Sequence, residues 1–481
     1  MKKLKLFSLI LLCGFTLFLS CNGAPGRLTC PIQRAADSIS AELPRPNGQT
    51  DVIGLACDPI PIVRVAFIGI GGRGSGAVER FMHLEGIEVK ALCDLEQYNI
   101  DRVQGILSKN GKPEAAAYTG EEDWKKVCER DDIDLVYVCT HWKLHTPIAV
   151  YAMEQGKHVA VEVPIARTME ECWQLVNTAE KTRRHCMQLE NCCYDFFEMA
   201  TLNMAQKGVF GEIVHVEGAY IHDLRGLNFA PRLAKGTENN PIPSISGYWN
   251  YWRLEENTEN NGNLYPTHGL GPVCQILNIH RGDKMDHLVS LSSDQFNMTA
   301  YAKERFGENS EEAKKTYNEG DMNTTLVKTA KGKSIMIQHD VASPRPYSRI
   351  HMVSGTKGFA QKYPVRTLAI EPYTHSPMNK EDMEKTLQEY EHPITKEIGE
   401  VARKVGGHGG MDFIMDYRLI YCLQNGLPLD QDVYDAAEWC SITPLSIFSV
   451  ANGSMPVKVP DFTRGAWQKQ QGYKHAFKSD N

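Results

Sequence analysis

The feature that most restricts the fold is a glycine-rich turn between an apolar strand and a helix. The run VRVAFI begins at Val63, and the segment GIGGRGSG follows it with Gly69, Gly71 and Gly74 in GxGxxG spacing. Glycines at this spacing allow the backbone to approach a pyrophosphate at the N-terminus of the next helix. The turn therefore predicts a dinucleotide-binding domain, with Gly72 and Arg73 also in contact with the ligand.

The second predicted strand, EVKALCD, ends at Asp94, 20 residues after Gly74. An acidic side chain at that place accepts hydrogen bonds from the adenosine ribose hydroxyls and repels the 2′-phosphate of NADP. Leu95 provides no compensating arginine, so NAD is favoured as the cofactor. The alternative is that Asp94 only caps the following helix.

Apolar strands continue in IDLVYVCT, HVAVEV and CMQLEN, with helices predicted at 77–84, 147–155 and 169–183. This alternation predicts a parallel sheet with crossover helices, and its carboxyl edge is where a dinucleotide lies. Polar or proline-punctuated segments follow the strands there, although each one alone would also suit a helix cap or a turn. The further predicted cofactor contacts are Trp142, Lys143, Leu144, His145, Glu162, Val163 and Asn191.

The pattern changes after residue 190. GEIVHVEGAYIH alternates like a half-buried strand, a Lys-Gly hairpin turn divides MNTTLVKTAKGKSIMIQHDV, and SRIHMVSGTKGFAQKY continues the strands. Residues 223–272 are expected to be rich in loops, and the charged stretch 303–319 to form a solvated helix. The prediction is an α/β protein with a Rossmann domain over 63–190 and an α/β domain over 191–481. The second domain is expected to contain a mixed, largely antiparallel sheet.

The N-terminus has the pattern of an export signal. Lys2, Lys3 and Lys5 precede an apolar run over 6–19, which is too short to span a bilayer. A small residue before Cys21 is similar to a bacterial lipoprotein cleavage box, so residues 1–20 are predicted to be a signal peptide. Lipidation at Cys21 is favoured over simple cleavage nearby. The protein is expected in the periplasm or at the cell surface, with residues 21–62 as a tether.

The net charge and the cysteine pattern limit which ligands and partners the chain is expected to bind. The net charge is −7 and the pI is about 6.2, which argues against nucleic acid because that partner requires a concentrated basic surface. The chain has 14 cysteines without a CxxC pair, so no metal site is predicted. Five of them lie in strand or helix patterns and are interpreted as small buried hydrophobic residues: Cys93, Cys139, Cys172, Cys422 and Cys440. Contact with a membrane is expected only through the predicted lipid at Cys21.

Linked motifs carry a family resemblance over about residues 63–460. The glycine turn and THWKLHTPIAVYAMEQGKHVAVEVPIARTMEE resemble the glucose–fructose oxidoreductase/inositol dehydrogenase/MocA family. ENCCY, GAYIHDLR, YWRL, GNLYPTHGLGPV and GGHGGMDFIMDYRL are similar to the NAD-dependent glycosidases of glycoside hydrolase family 109, whose known activity is α-N-acetylgalactosaminidase. The resemblance implies a glycan substrate with terminal N-acetylgalactosamine, and a homo-oligomer is a further expectation. His408, in GGHGG, is placed near the active site without a role.

The resemblance also implies a reaction route. NAD accepts hydride from sugar C3, a base then removes the C2 proton, the aglycone leaves from C1, water adds, and C3 is reduced again. This route is an exception to the usual carboxylate pair of glycosidases. The implied sugar site is Tyr220, Arg253, Tyr265, Pro266, Thr267, His268 and Tyr347.

The roles within that site are our own assignments. His268 titrates near neutral pH and is the candidate base at C3. Tyr265 and Tyr347 are candidates at C2 or at the leaving oxygen if a neighbouring cation lowers their pKa values. Arg253 either provides that charge or binds the acetamido group, and Tyr220 helps to bind the sugar.

One departure from the wider family separates the competing functions. That family has Glu-Lys-Pro, whereas this chain has Val163 between Glu162 and Pro164, and valine cannot transfer a proton. An NAD-dependent sugar dehydrogenase is therefore the second hypothesis rather than the first. A non-catalytic sugar- or nucleotide-binding protein is the third, and it is weakened by Tyr265 and His268. The alternative for His268 alone is a structural histidine.

Overall fold

The computed structural model describes residues 31–230, 247–248, 251–372 and 375–478. The predicted signal peptide and Cys21 lie outside the described residues. The chain divides into two compact units, residues 1–39 and 40–481. The described part of the first unit contains helix α1 (Pro31–Ile39), and all other elements belong to the second unit.

The second unit begins with a parallel sheet whose strand order is β3-β2-β1-β4-β5-β6. The strands are β1 (Val63–Ile68), β2 (Ile87–Cys93), β3 (Ala116–Tyr118), β4 (Leu135–Val138), β5 (His158–Val161) and β6 (Cys186–Gln188). The helices are α2 (Gly72–Phe81), α3 (Gln97–Lys109), α4 (Asp123–Cys128), α5 (Trp142–Glu154) and α6 (Met169–Thr182). This strand order is that of the Rossmann fold, which confirms the predicted class.

The register of this sheet brings its loops to one edge. Ile68 pairs with Cys93 on one side and with Val138 on the other, and Val138 pairs with Val161. The strands are largely apolar because helices cover both faces of a parallel sheet. The segments after β1, β2, β4 and β5 therefore meet at the same carboxyl edge.

A second sheet of eight strands has the order β13-β12-β11-β7-β10-β9-β8-β14. Its strands are β7 (Ile213–Ile221), β8 (Met285–Ser292), β9 (Asn323–Thr329), β10 (Ser334–Asp340), β11 (Met352–Gly355), β12 (Gly358–Gln361), β13 (Thr367–Ile370) and β14 (Val457–Lys458). β7 and β10 are parallel, whereas the other pairs are antiparallel. The predicted mixed, largely antiparallel sheet is thus confirmed, and β9 and β10 form the predicted hairpin.

Helices accompany this sheet, and two expectations for them were wrong. They are α7 (Phe196–Gln206), α8 (Arg225–Asn228), α9 (Trp252–Glu259), α10 (Thr267–Leu277), α11 (Asn297–Phe306), α12 (Glu311–Lys314), α13 (Lys380–Glu389), α14 (Pro393–Val405), α15 (Met411–Asn425) and α16 (Val433–Ala451). The supposed loop region 223–272 contains α8, α9 and most of α10. The charged stretch contains the end of α11 and the whole of α12, because Gly307 with φ +92° ends α11 and Ser310 caps α12.

The predicted tether is also corrected, because residues 40–62 pack on the folded body. Val52 is buried, and its backbone N–H donates to the Tyr434 hydroxyl at 2.9 Å. Arg45 binds the buried carboxylate of Glu180 at 3.1 Å, and the Ile60 N–H donates to a backbone carbonyl at 3.0 Å. These buried contacts show that residues 40–62 are docked on the folded body and do not form a free linker.

The C-terminal helices α15 and α16 also contact strands of the first sheet. Tyr137 in β4 donates to Asp416 of α15 at 2.9 Å, and Cys440 of α16 lies 3.0 Å from Gln188 of β6. The cysteines of the described part of the chain are free, with Cys93, Cys172, Cys422 and Cys440 buried and Cys139 partly buried. None of the helices in the described ranges is long and apolar enough to cross a membrane.

Candidate active site

The glycine turn forms a cradle that is closed on one side and open on the other. Gly69 has φ +82°, and a Cβ there would lie 2.7 Å from the backbone of Thr140. A Cβ on Gly74 would lie 2.1 Å from the carbonyl oxygen of Gly69, so both glycines are required by protein packing. A Cβ on Gly71 or Gly72 would meet no atom within 4 Å. This open backbone at the start of α2 fits a dinucleotide pyrophosphate.

Asp94 is placed beside this cradle and also supports it. Its carboxylate accepts hydrogen bonds from the Ile70 N–H at 2.8 Å, the Glu96 N–H at 3.0 Å and the Asn99 side chain at 2.9 Å. The proposed alternative, support of the next helix, is therefore part of its role. Its bond to the ribose stays a prediction, and a carboxylate has a fourth lone-pair site for it.

The segments after β4 and β5 are joined by His145. Its ring nitrogens lie 2.8 Å from the Pro164 carbonyl oxygen and 2.9 Å from that of Thr140. Trp142 and Val163 are buried in one apolar cluster, whereas the exposed Lys143 lies 3.4 Å from Glu255. Leu144 is partly buried. The structure gives His145 a loop-positioning role, and the contacts of these residues with NAD stay predictions.

Asp412, which the sequence analysis did not identify, connects three predicted cofactor residues. Arg73 contacts Glu162 at 2.5 Å and Asp412 at 2.6 Å, and the Asn191 side chain donates to the second oxygen of Asp412 at 2.5 Å. Burial opposes the charge of Asp412, but the hydrogen bond with His408 and the charge of Arg73 outweigh it and lower the pKa of Asp412. Asp412 is therefore an anion that is bound to Arg73 of the glycine turn.

The sugar-side residues meet where α10 presses against β7. A Cβ on Gly218 would lie 2.3 Å from the Gly269 carbonyl oxygen, so only glycine allows this approach. His268 thereby faces Tyr220, with 5.3 Å between ring centroids, and Tyr265 lies 4.9 Å from His268. Two glycines of different elements thus bring together the predicted site residues.

The partly buried His268 forms a pair with the fully buried Glu190, a second residue that the sequence analysis missed. Its Nδ1 lies 2.8 and 2.9 Å from the two carboxylate oxygens, and the Cys192 N–H donates to the same carboxylate at 3.0 Å. Burial opposes ionisation of Glu190, but His268 and these hydrogen bonds outweigh it and lower the pKa of Glu190. Glu190 therefore orients the ring and leaves Nε2 as the nitrogen that takes a proton, which is the usual base–orienter arrangement.

The same group includes a further thiol. The ligand atoms of Glu190, Cys192 and His268 lie within 4.8 Å of one another, a spacing that also suits a metal ion. His268 Nδ1 is already hydrogen-bonded to the Glu190 carboxylate. The geometry therefore supports a histidine–carboxylate pair at this place.

Arg253 is a buried cation that is surrounded by aromatic rings. Its guanidinium carbon lies 5.2 Å from Trp142, 5.4 Å from Tyr220 and 4.7 Å from Tyr265, and it donates to the Tyr248 hydroxyl at 3.0 Å. Its Nη2 has no partner among the described residues. Such a nitrogen at the wall of a site is suited to a polar ligand atom, because an unpaired buried donor costs about 1–3 kcal/mol.

The condition set for the tyrosine roles, a net lowering of their pKa values by a neighbouring cation, is not met. Burial raises the pKa values of Tyr220, Tyr265 and Tyr347, and it outweighs the opposing charges of Arg253 and Arg349. These phenols are therefore protonated in the resting site. Tyr347 is 36% exposed, and its oxygen accepts a hydrogen bond from Arg349 at 3.2 Å.

Pro266 and Thr267 begin α10 and lie directly beside His268. Thr267 is fully buried, and its hydroxyl has no partner within the part of the chain that the structure describes.

The ENCCY motif contains Glu190, but the sequence does not indicate that Glu190 pairs with His268. Asp412 lies within the family motif GGHGGMDFIMDYRL, but that motif does not indicate the residues with which Asp412 pairs.

Comparisons with known proteins identify the family of each part of the chain. Residues 63–189 match the model "Oxidoreductase family, NAD-binding Rossmann fold", which confirms NAD as the cofactor. Residues 194–469 match "Glycosyl hydrolase 109, C-terminal domain". An α-N-acetylgalactosaminidase of Bacteroides fragilis is 59% identical over 421 residues, which are 88% of this chain and 96% of that protein. Glycosyl hydrolase family 109 protein 2 of Phocaeicola vulgatus is 57% identical, over 89% of this chain and 100% of that protein.

Solved structures share the fold at low sequence identity. A levoglucosan dehydrogenase in complex with NADH matches with a TM-score of 0.59 and 17% identity, over 83% of this chain and 99% of that chain. An aldose–aldose oxidoreductase from Caulobacter crescentus complexed with glycerol matches with a TM-score of 0.56 and 16% identity, over 82% and 99%. On the family model and the curated relatives together, the chain belongs to glycosyl hydrolase family 109.

Proposed function

We propose that this protein is an NAD-dependent glycosidase that hydrolyses terminal α-linked N-acetylgalactosamine. The observation that carries the proposal is the His268–Glu190 pair, which lies among buried tyrosines beside the NAD cradle. The proposal is supported by the 59% identity to an α-N-acetylgalactosaminidase. The side chains gathered here are suited to proton transfer at a sugar ring.

Bound NAD supplies the chemistry that oxidises sugar C3 and later reduces it, so that net redox change is zero. The chain contributes the proton transfers. His268 Nε2 takes the proton of the C3 hydroxyl, and Glu190 stabilises the imidazolium that results. The proton returns by the same path when C3 is reduced.

The two tyrosines divide the elimination step. Tyr347 is partly exposed, so it gives its own proton to water and then takes the C2 proton as a phenolate, which the hydrogen bond from Arg349 stabilises. Tyr265 is a buried, protonated phenol and donates its proton to the leaving oxygen at C1. Arg253 and Tyr220 hold the ring, with the free Nη2 of Arg253 on the acetamido oxygen or on the oxygen at C3.

The test is hydrolysis of a nitrophenyl α-N-acetylgalactosaminide in deuterated water. We expect label at C2 of the released sugar and no accumulation of NADH, with both hydrolysis and label lost in Tyr347→Phe. Hydrolysis at full rate by protein stripped of NAD would refute the proposal.

The sugar dehydrogenase is the second candidate function. Val163, at the place of the proton-carrying lysine of the wider family, is buried in an apolar cluster and opposes that reaction. Steady production of NADH from free sugar by the purified protein would favour the dehydrogenase.

We also propose that the protein is exported and lipidated at Cys21. The basic and apolar segments at 2–19 and the small residue before Cys21 support this. Labelling with a fatty acid in a bacterial host should mark the wild type and not Cys21→Ser. Homo-oligomer formation stays a prediction, which light scattering of the purified protein tests.

A further inference from the structure

Arg349, which donates to the Tyr347 hydroxyl, is held in one orientation by two carboxylates. Arg349 is buried, and its Nη2 lies 2.6 Å from Asp195 Oδ2 and 2.7 Å from Glu198 Oε1. Its Nη1 donates to the Tyr347 oxygen at 3.2 Å, and its Nε has no partner among the described residues. Because a guanidinium is planar and rigid, two contacts at Nη2 also fix the direction of Nη1.

Lys362 binds the same two carboxylates. Its Nζ lies 2.6 Å from Asp195 Oδ2 and 2.7 Å from Glu198 Oε2. Burial opposes the charge of Lys362, but the carboxylates outweigh it and raise the pKa of Lys362. Burial likewise opposes ionisation of Glu198, but Lys362 and Arg349 outweigh it and lower the pKa of Glu198. These four side chains, here called the Arg349 cluster, therefore hold two cations and two anions.

The backbone that follows Arg349 has a conformation that its residues rarely adopt. Ile350 and His351 have φ angles of +57° and +46°, a region that is unfavourable for a β-branched residue such as isoleucine. Such residues persist only where their surroundings stabilise them, and they occur often at functional sites. The backbone N–H groups of Lys362 and Tyr363 donate to the carbonyls of His351 and Ile350, each at 3.1 Å. The segment that carries Lys362 thus also stabilises the chain beside Arg349.

Arg349 is the charged group that contacts Tyr347 within the described residues. Four further ionisable side chains face this phenol, and burial raises the pKa values of three of them and lowers that of the histidine, which favours the neutral form of each: Tyr220, Tyr363, Cys192 and His222. The charge that acts on the Tyr347 oxygen is therefore that of the Arg349 cluster.

We propose that Asp195, Glu198 and Lys362 are positioning residues for Tyr347, because they fix Arg349 on its oxygen and their charge balance sets how readily the phenol ionises. The inference deepens the proposed function, since it concerns the base at C2. It rests on that function only for the effect on hydrolysis. Ionisation of Tyr347 is measured without substrate, so its failure is distinct from a failure of the glycosidase assignment.

The test is a pH titration of the phenol at position 347 in full-length protein loaded with NAD. The more acidic analogue 2,3,5-trifluorotyrosine is incorporated in place of Tyr347, and its ¹⁹F resonances are followed. Lys362→Met leaves two carboxylates with one cation, so ionisation should move at least about half a pH unit upwards. Glu198→Gln leaves two cations with one carboxylate, so ionisation should move at least about half a unit downwards. A merely structural role would not give shifts of opposite sign.

A second measurement follows hydrolysis in proteins that keep Tyr347. At neutral pH, kcat of Lys362→Met should fall at least about threefold, which corresponds to half a pH unit, and it should recover as the pH is raised. Shifted ionisation with wild-type hydrolysis would confirm the positioning and contradict the role of Tyr347 as the base at C2.

Three variants serve as controls. Lys362→Arg keeps the positive charge and should leave the ionisation at its wild-type position. Lys333→Met is the matched control, because Lys333 is also largely buried and pairs with Glu212 at 2.8 Å outside the site. Asp195→Asn removes the more exposed carboxylate and should shift ionisation downwards, which keeps the test decisive if Glu198→Gln does not fold. Shifts of the same sign after loss of a cation and of an anion, or no shift in either, would overturn the inference.

Discussion

Replacement of Glu190 by glutamine removes one charge from a buried site and preserves the shape of the side chain. The carboxylate is fully buried, and within the described part of the chain it accepts hydrogen bonds from His268 Nδ1 and the Cys192 N–H, at 2.8 to 3.0 Å. A glutamine oxygen can accept the same bonds, so the ring should keep its orientation. What is lost is the stabilisation of the imidazolium that forms when His268 takes the C3 proton.

The magnitude follows from the nature of that bond. Hydrogen bonds to charged groups contribute about 1.5–3 kcal/mol, and each 1.4 kcal/mol corresponds to about tenfold in rate. We therefore expect kcat of Glu190→Gln to fall about 10- to 150-fold, measured by nitrophenol release at saturating substrate and NAD. The melting temperature should change little, because glutamine has nearly the same size and shape as glutamate and creates neither a cavity nor a steric clash.

The control for this experiment is Glu217→Gln. Glu217 is also paired with a histidine, His215 at 3.3 Å, and it lies in the same strand as Tyr220 without belonging to the site. Its kcat should stay within about twofold of the wild type, because a partly exposed pair contributes little. A Glu190→Gln variant that is also within twofold would refute the assignment of His268 and Glu190 as base and orienter.

Three further predictions follow from the same structure. Tyr265→Phe should lower kcat roughly 10²–10⁴-fold on a disaccharide and much less on a nitrophenyl glycoside, because a good leaving group needs no acid; equal losses on both substrates would contradict the role of Tyr265. Gly71→Ala should weaken NAD binding in a titration without a change in melting temperature, since its Cβ meets no protein atom within 4 Å. Gly74→Ala should lower the melting temperature by about 2–10 °C, since its Cβ would lie 2.1 Å from a carbonyl oxygen; the reverse result for either glycine would contradict the cradle. Burial opposes ionisation of Asp430, but Arg418 outweighs it and lowers the pKa of Asp430 from 3.8 to about 2. The resulting stability, about 2 kcal/mol, is present above pH 4 and is lost as the pH falls towards 2, so denaturant unfolding of Asp430→Asn should lack that part of the acid dependence.

Much of this protein is determined by short stretches of its sequence. The glycine turn after β1, the apolar strands and the carboxylate at Asp94 are local patterns, and they predict the Rossmann class without any tertiary contact. The family motifs gave His268, Tyr265 and Tyr347 for the same reason, since each motif is contiguous. The prediction of loops over 223–272 was wrong, because the packing of α10 against β7 stabilises a helix in a segment rich in glycine and proline.

The pairings across the site were decided only by the tertiary structure. His268 and Glu190 are 78 residues apart, and Arg73 and Asp412 are 339 apart. No periodicity connects such positions, because their contact depends on how whole elements pack. The direction of the tyrosine pKa shifts was likewise decided by burial, which the sequence does not state and which outweighed the neighbouring arginines. The sequence by itself determined which chemical groups the site contains, and the packing of distant elements determined which of them touch and in which protonation state they are held.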